Sequence, residues 1–440
     1  MAQETRFLSA ASDLSRKRRA AEKRYRLYGL VAISIGLLML VILLTTIITK
    51  GVTAFQQTFI TLDIELIESK LDKKGNRDIN DIKKVSTFGY APLTKNSFEK
   101  LISANNLNTD LSPKNASKIL SKSAPSELRN FVINDTSVIG RTISFEFLTN
   151  SWIDGYLKGR INRDDIQNSK NVSSEQLDLV DELVKLGIVE KKFNLSFLLG
   201  SDASDMRPEA AGFGVSMVGS FYMMLVVLLL SLPVGVAASI YLEEFAPRNW
   251  ITDIIEVNIS NLAAVPSIVF GILGLAVFIN FMHLPQSAPF VGGMVLTLMT
   301  LPTIIISTRA SLKSVPPSIR DAALGVGASK MQTVFHHVLP LAAPGILTGT
   351  IIGLAQALGE TAPLLLIGMI GYIATNMPSS VLEGLASPNS AMPAQIYEWA
   401  KRSDPAFYER AWGGIIILLV FLITMNTLAV ILRRRFERRW

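Results

Sequence analysis

An acidic side chain interrupts an otherwise apolar run in the carboxyl-terminal half of the sequence. Residues 343–371 contain a single charged residue, Glu360. A carboxylate at the centre of a membrane helix costs about 2.5–3.5 kcal/mol on insertion scales, so Glu360 should face a cavity or a partner. Gln356 lies one helical turn earlier on the same face. The pair could line a path for a polar substrate, or join two helices through a structural contact.

Polar side chains also mark an earlier apolar run. Asn258, Asn261 and Ser267 lie close to Pro266 in the sequence. Such residues in a span either line a path or hydrogen-bond to a neighbouring helix, and the pattern leaves both interpretations open. Metal chemistry is not indicated, because the chain has no cysteine and only three scattered histidines.

The elements that must position these side chains are long apolar segments. Charged residues are 18% of the chain and apolar residues 49%, whereas about a quarter of the residues in soluble domains are charged. A helix of about 20 residues crosses a hydrocarbon core of roughly 30 Å. The sequence therefore predicts an all-α polytopic membrane protein with six transmembrane helices, at residues 27–49, 210–242, 255–282, 289–308, 343–371 and 411–432.

The distribution of basic residues predicts the orientation. Eight Lys and Arg lie in residues 1–26, and five Arg lie in the last eight residues. The positive-inside rule then places both termini in the cytoplasm, and residues 50–209 outside. The run at 27–49 is too long for the apolar region of a signal peptide and lacks a small-residue cleavage site, so we expect an uncleaved span after a basic tail.

The region 50–209 has the composition of a soluble α+β domain. In Phe59–Leu66, alternate side chains share one strand face, namely Ile60, Leu62, Ile64 and Leu66. Ser173 and Gln176 have the spacing of a capping box, and Gly187 ends the helix that they begin. Its predicted apolar stripe consists of Leu177, Val180 and Val184. No catalytic constellation is evident, so we expect a packing or docking domain.

A short polar stretch, "SIRDAALGVGASKMQTVFHHVLP" (318–340), separates the fourth and fifth spans. Ser318 with Asp321 and Ser329 with Gln332 are helix-start signatures, which predict two short helices joined by a glycine turn. The predicted apolar face consists of Leu324, Ala328, Met331, Phe335 and Val338. The stretch could be a connector, lie on the membrane, or fit the groove of a partner.

The same stretch resembles a known motif. Its Asp321-Ala322-Ala323, Gly327 and His337-Val338-Leu339-Pro340 are similar, at matching spacing, to the cytoplasmic EAA loop of ABC-importer permeases. Asp321 stands where the family has Glu, and His337 where it has an aliphatic residue. The segments "LPVGVAASIYLEEFAPRN", "ALGETAPLLLIG" and "MPAQIYEWA" resemble the PstA-type permease of the phosphate importer, over about residues 195–440.

This resemblance implies the ABC importer type I permease fold, with a transmembrane domain at 210–440 and a coupling loop at 315–340. The amino-terminal part looks like a longer form of the family, with an extracytoplasmic α+β domain between the first and second spans. The implied partners are a homologous second permease, two copies of a cytoplasmic ATP-binding subunit, an extracytoplasmic phosphate-binding protein and membrane lipid. No nucleic acid is implied. The implied location is the bacterial inner membrane.

The chain lacks the G-x-x-x-x-G-K-[ST] phosphate loop, so it cannot be the ATPase. We therefore expect a non-catalytic subunit without a cofactor or metal, whose ATP and Mg²⁺ are bound by the partner ATPase. By the resemblance, Leu324, Met331 and Phe335 would be buried in the ATPase groove. The full set of expected coupling residues is Arg320, Asp321, Ala322, Ala323, Leu324, Gly327, Lys330, Met331, Phe335 and Pro340.

A carboxylate in a phosphate path would repel the substrate unless it were compensated. Either Arg309 on the neighbouring span neutralises Glu360, or Glu360 accepts a hydrogen bond from the P–OH group that phosphate keeps near neutral pH. The expected path residues are Glu360, Gln356, Arg309, Asn258 and Asn261. Glu243 and Glu244 are expected at a solvated helix end. The alternatives are a permease for phosphonate, molybdate or sulfate, and a membrane-anchored sensor or scaffold.

Overall fold

The computed structural model describes residues 13–72, 74–107, 109, 111–166, 171–369 and 380–436. The chain is mostly helical, at 74%. It consists of two compact units, one ending at Lys50 and the other beginning at Gly51.

The first unit is a single long helix, α1 (Asp13–Gly51). It begins before the predicted span at 27–49, because its basic segment is also helical and contains an ion pair of 3.0 Å between Glu22 and Arg26. From Leu27 to Leu44 its side chains are exposed. A helix that is apolar all round in this way is suited to lipid or to another membrane helix.

The second unit begins with an α/β lobe, residues 56–193. Its sheet is antiparallel in the order β2-β1-β3, with β1 at Gln56–Glu65, β2 at Thr142–Leu148 and β3 at Val189–Phe193. The lobe's helices are α2 (Glu68–Leu71), α3 (Ile79–Lys84), α4 (Thr87–Ala104), α5 (Pro113–Ala116), α6 (Ala124–Asn134), α7 (Ser151–Leu157), α8 (Arg163–Ile166) and α9 (Ser174–Lys185). Short 3₁₀ turns lie at Ser117–Ile119 and Thr136–Val138, after a further one at Val52–Phe55.

The core of the lobe agrees with the sequence pattern, with one exception. The predicted β1 face is confirmed, since Ile60, Leu62, Ile64 and Leu66 are all buried. The capping box of Ser173 and Gln176 is also confirmed. The prediction for Val184 is wrong, because its side chain is exposed and Leu183 is buried in its place. Helix α9 turns its face at 176, 177, 179, 180 and 183 to the core, and position 184 falls at the edge of that stripe.

The helix bundle follows the lobe and contains the apolar segments. Its helices are α10 (Leu195–Leu199), α11 (Gly214–Ile240), α12 (Trp250–Ala263), α13 (Ser267–Leu273), α14 (Pro289–Ser314), α15 (Pro317–Gly325), α16 (Lys330–Thr333), α17 (Leu339–Gly359), α18 (Ala362–Leu366), α19 (Val381–Ala386), α20 (Met392–Lys401) and α21 (Pro405–Phe436). A 3₁₀ turn lies at Pro208–Ala210, and π-helical turns lie at Tyr241–Phe245, Gly274–Phe281 and Val334–Val338.

The described residues contain five helices long and apolar enough to cross a membrane, or six if a bent pair is one span. That pair is α12 with α13, which meet at 105°. The predicted third span at 255–282 covers this pair, and Pro266, the N-cap of α13, marks the break between its two helices. The fifth span, predicted to run to residue 371, ends at Gly359; residues 370 and 371 lie outside the described residues.

Small residues bring α14 and α17 close together. A Cβ added at Gly345 would clash with Ser311, and one added at Gly349 would clash with Ser307. Glycine at intervals of four residues is a known device for tight packing of membrane helices. These pairs also fix the antiparallel register of the two helices, which decides where Glu360 lies.

The α/β lobe is joined to α21 by a buried ionic cluster. Lys158 Nζ lies 2.7 Å from Asp154 Oδ2 and 3.3 Å from Glu409 Oε1. Arg160 Nη2 lies 2.9 Å from Glu409 Oε2. These four residues are called the lobe–bundle seam below. Because Asp154, Lys158 and Glu409 are almost fully buried, the seam fixes the lobe on the end of the last span.

Arg410 ties the start of the second span to the same place. Its guanidinium donates hydrogen bonds to the carbonyl oxygens of Pro208 and Glu209, at 2.8 and 2.6 Å, and to the side chain of Gln57 at 3.0 Å. The segment that leads into α11 is therefore held by the lobe and by α21 together.

Candidate coupling loop and membrane path

The polar stretch between α14 and α17 begins with a short helix, and a pair of prolines marks the start of that helix. Helix α15 begins at Pro317, with Pro316 as its N-cap and no side-chain cap. The prediction that Ser318 caps this helix is wrong. A proline fits the first helical position because it has no N–H to leave unsatisfied and its φ is already helical. Ser318 is thereby moved inside the first turn.

The glycine turn and the second capping signature are confirmed. Gly327 has φ +90, in the left-handed region that favours glycine. Ser329 and Gln332 form a capping box, with hydrogen bonds of 2.9 and 3.2 Å between side chains and backbone. The second helix is not short, however. From Lys330 it continues through a π-helical turn into α17, as one helical run to Gly359.

The loop exposes a cluster of large apolar side chains, which is called the loop face below. Leu324, Met331 and Phe335 are 47–57% exposed, and Val326 is 87% exposed. The sequence prediction omitted Val326, although an apolar residue within a glycine turn was a usable signal. Val338, predicted on the same face, is fully buried. A contiguous exposed apolar patch on a polar loop is typical of a surface that binds a partner.

The remaining expected coupling residues have different environments. Asp321 and Ala322 are exposed, Pro340 is half-buried, and Ala323 is buried against the chain itself. The Lys330 ammonium lies 5.3 Å from the centre of the Phe245 ring. Contact of these residues with an ATPase stays a prediction.

Arg320 is bonded within the chain. It donates to the carbonyl oxygens of Val315 and Leu312, at 2.7 and 2.9 Å, and pairs with Glu244 at 2.7 Å. The interaction links the loop to the π-helical turn that ends the second span. Glu244 is therefore not at a solvated helix end, contrary to the prediction, because its side chain is only 8% exposed.

Arg309 lies in a second set of ion pairs beside the first. Its guanidinium lies 3.3 Å from Glu243 and 2.5 Å from Glu256, and Lys313 lies 3.6 Å from Glu243. The solvated helix end predicted for Glu243 is again replaced by ion pairing. Together with the Arg320–Glu244 pair, these contacts form what is called the loop-side network below. It joins the ends of α11, α12 and α14 to the coupling loop.

The prediction that Arg309 neutralises Glu360 is wrong in this structure. Gly345 faces Ser311 and Gly349 faces Ser307, so continuing this register sets Glu360 beside residue 296. At about 1.5 Å per helical residue, that level is roughly 20 Å from Arg309. Arginine at one end of α14 cannot reach a carboxylate at the far end of α17.

Glu360 lies at a helix end rather than in a helix centre. It is the C-cap of α17, with extended backbone angles, and its side chain is half-buried. Within the described part of the chain, no side chain pairs with it. Ile352, Gln356 and Gly359 lie on the same side of α17 and are exposed. The single chain thus leaves one stripe of α17 exposed, in which Gln356 is the polar side chain.

Asn258 and Asn261 lie on α12, none of whose residues is buried. The Asn258 amide donates to the carbonyl oxygen of Ile254 in its own helix, at 2.7 Å. Among the described residues, no hydrogen bond joins either asparagine to Gln356 or Glu360. The structure therefore does not bring the predicted path residues into one contact set.

Comparison with known proteins adds two family matches. Residues 231–440 match the family model described as "Binding-protein-dependent transport system inner membrane component". Residues 13–167 match a domain of unknown function, DUF3333. The second match agrees with a longer form that has an extra amino-terminal domain.

Three relatives locate the chain more closely. The probable ABC transporter permease protein YqgI of Bacillus subtilis is 36% identical over 250 residues, which cover 55% of this chain and 84% of the relative. The phosphate transport system permease protein PstA of Mycobacterium leprae is 29% identical, covering 53% and 75%. The phosphate transport system permease protein PstC of Pasteurella multocida is 28% identical, covering 56% and 82%. The chain therefore belongs to the ABC-transporter permeases of the binding-protein-dependent inner membrane component family, among which PstA proteins are its homologues.

Proposed function

We propose that this chain is the permease subunit of an ATP-driven importer for inorganic phosphate. The observation that carries the proposal is the loop face, which is apolar, exposed and fixed to the spans by ion pairs. Phosphate as the substrate is supported by the names of the PstA and PstC relatives. As in its relatives, the permease would be non-catalytic.

The loop face would fill the groove of a cytoplasmic ATP-binding subunit. Two such subunits would bind ATP and Mg²⁺ and supply the energy. When ATP binding moves the groove, Arg320 would transmit the displacement to the end of α11 through Glu244. Arg309 joins α14 to α12 through Glu256, so the same displacement would also reach these two helices.

The membrane path would form between this chain and a homologous second permease. Gln356 lies on the open stripe of α17 and Glu360 is the half-buried C-cap that follows it, where a second subunit could complete the path. Near neutral pH phosphate keeps a P–OH group, which can donate a hydrogen bond to the Glu360 carboxylate. Fully ionised sulfate has no such donor. The carboxylate would thus select phosphate, and no arginine beside it is needed.

The orientation follows from the charges at the two termini. Both termini and the coupling loop would lie in the cytoplasm of a bacterial cell with the bundle in the inner membrane, and the α/β lobe would lie outside. In that orientation an extracytoplasmic binding protein would deliver phosphate to the lobe side of the bundle. The six spans, the inserted domain at 50–209 and the permease domain at 210–440 belong to the same proposal.

Reconstitution tests the proposal. The chain, a second permease, the ATP-binding subunit and the phosphate-binding protein would be assembled in proteoliposomes, and uptake of labelled phosphate measured with and without ATP. We expect uptake only with ATP and all four components. Phosphate movement by the chain alone, or none by the complete assembly, would overturn the function.

A matched pair of variants tests the path. Glu360→Gln should lower phosphate uptake about tenfold or more, since it removes a charge-assisted hydrogen bond. Glu398→Gln makes the same change at a carboxylate that pairs with Lys401 near the surface, and should leave uptake unchanged. Normal uptake by a fully assembled Glu360→Gln transporter would remove Glu360 from the path.

A further inference from the structure

A cavity with both polar and apolar lining residues lies where the α/β lobe meets the segments that enter the bundle. Its volume is about 640 Å³, which is within the range of small-molecule sites. The lobe contributes Lys118, Ser121 and Lys122, and the bundle side contributes Glu209 and Asp404. The cavity is separate from the open stripe of α17 and has no part in the function proposed above.

A chain of hydrogen bonds begins at Glu209 and Ser121 in the cavity lining and continues behind it to Ser123 and Glu127. Ser121 Oγ donates to Glu209, the Ser121 and Ser123 hydroxyl oxygens are 2.6 Å apart, and Ser123 Oγ lies 2.5 Å from Glu127 Oε1. Each of the two carboxyl groups is thus hydrogen-bonded to a hydroxyl of this chain.

Burial acts on both glutamates in the same direction. It raises the pKa of Glu209, and the hydrogen bond from Ser121 opposes that shift. Burial also raises the pKa of Glu127, against the hydrogen bond from Ser123 and the charge of Arg207. Burial therefore opposes the charged form of both carboxyl groups.

The walls of the cavity include two exposed lysines and the carboxylate of Asp404. Lys118 and Lys122 have no ion pair within the described residues, whereas Asp205 is paired with Arg402 at 3.4 Å. Asp404 accepts hydrogen bonds from Ala406 N at 2.9 Å and from Ser151 Oγ at 3.3 Å. A carboxylate has about four acceptor positions, so Asp404 keeps capacity for a donor in the cavity.

We propose that this cavity binds a small oxyanion that also carries a hydroxyl group, such as hydrogen phosphate. Lys118 and Lys122 bind the ionised oxygens, and Asp404 accepts a hydrogen bond from the hydroxyl group. The cavity is an accessory anion site outside the membrane path. This proposal rests on the proposed transport function only in the choice of phosphate as the probe ligand.

Equilibrium dialysis of the full chain in lipid nanodiscs tests the site, with labelled inorganic phosphate at neutral pH. We expect a bound phosphate that Lys118→Ala with Lys122→Ala weakens about tenfold or more, because two charged hydrogen-bond donors are lost. The matched control is Lys70→Ala with Lys185→Ala, two exposed lysines of the same lobe, and should leave binding unchanged. Equal binding by both double variants would overturn the proposal.

Two further measurements separate this site from the path. Asp404→Asn keeps a cap for α21 but loses the charged acceptor, so it should weaken phosphate binding and narrow the preference for phosphate over sulfate. Glu360→Gln should leave this binding intact; loss of binding in that variant would assign the phosphate to the path. If uptake fails in the complete transporter while the cavity still binds phosphate, only the transport proposal falls.

Discussion

Ion pairs stabilise both ends of the bundle, but the two sets of ion pairs differ in solvent exposure. In the lobe–bundle seam the side chains of Asp154, Lys158 and Glu409 are 2–4% exposed. In the loop-side network exposure rises from 8% at Glu244 to 59% at Lys313. A buried pair cannot exchange partners without a large desolvation cost, whereas a partly solvated pair can.

This difference in solvent exposure indicates which end of the bundle can rearrange. The seam makes the α/β lobe a rigid extension of α21, and its fixed geometry suits a surface that must present a constant shape. The loop-side network is dense enough to transmit a displacement and solvated enough to rearrange. A transporter that alternates between two states needs the second kind of contact at the end where the energy enters.

The largest effect is expected in the seam. Within the described residues, Glu409→Gln leaves Lys158 and Arg160 with Asp154 as their only carboxylate partner, and breaking a buried pair costs about 3–5 kcal/mol of unfolding free energy. Denaturant unfolding of the full chain in detergent measures it. Glu398→Gln, which breaks a solvated pair with Lys401, should change little. Equal effects of the two variants would show that burial does not distinguish the seam.

A smaller effect is expected in the loop-side network. Arg320→Gln loses the pair with Glu244 and two hydrogen bonds to backbone carbonyls. Local opening of the loop should become easier by about 2–3 kcal/mol, reduced by its partial exposure. Hydrogen exchange of the amides of 318–326 measures the opening, and ATP hydrolysis should partly uncouple from uptake.

The reversed pair is the control for Arg320. Arg320→Glu combined with Glu244→Arg should recover part of the coupling that either change alone removes. Unchanged exchange and uptake in Arg320→Gln would mean that apolar packing alone holds the loop. The loop-side network would then contribute no more to holding the loop than ordinary surface ion pairs do.

The smallest effect is expected at the glycine turn. Gly327→Val meets no atom within 4 Å, but its backbone φ is +90, so the cost is backbone strain of about 1–2 kcal/mol. The loop face should shift, and uptake should fall relative to ATP hydrolysis. Gly325→Val is the matched control, because Gly325 also has open space but a helical backbone. If both variants transport equally well, the turn does not position the loop face.

Local patterns in the sequence predicted local structure well. The alternation in β1, the capping boxes at Ser173 and Ser329, and the turn at Gly327 all depend on residues a few positions apart. The family resemblance was confirmed because it rests on the residues themselves. The wrong prediction for Ser318 also has a local cause, since Pro316 and Pro317 set the start of α15.

The sequence by itself determined a polytopic membrane protein, its family and the glycine turn between α14 and α17. Only the tertiary structure decided the partners of its charges. Arg309 and Arg320 bind glutamates 66 and 76 positions earlier, and Lys158 binds a glutamate in the last helix. Apolar periodicity fixes which face of a helix is buried. The register between helices is set by side-chain packing across them, and the register decides which charges meet.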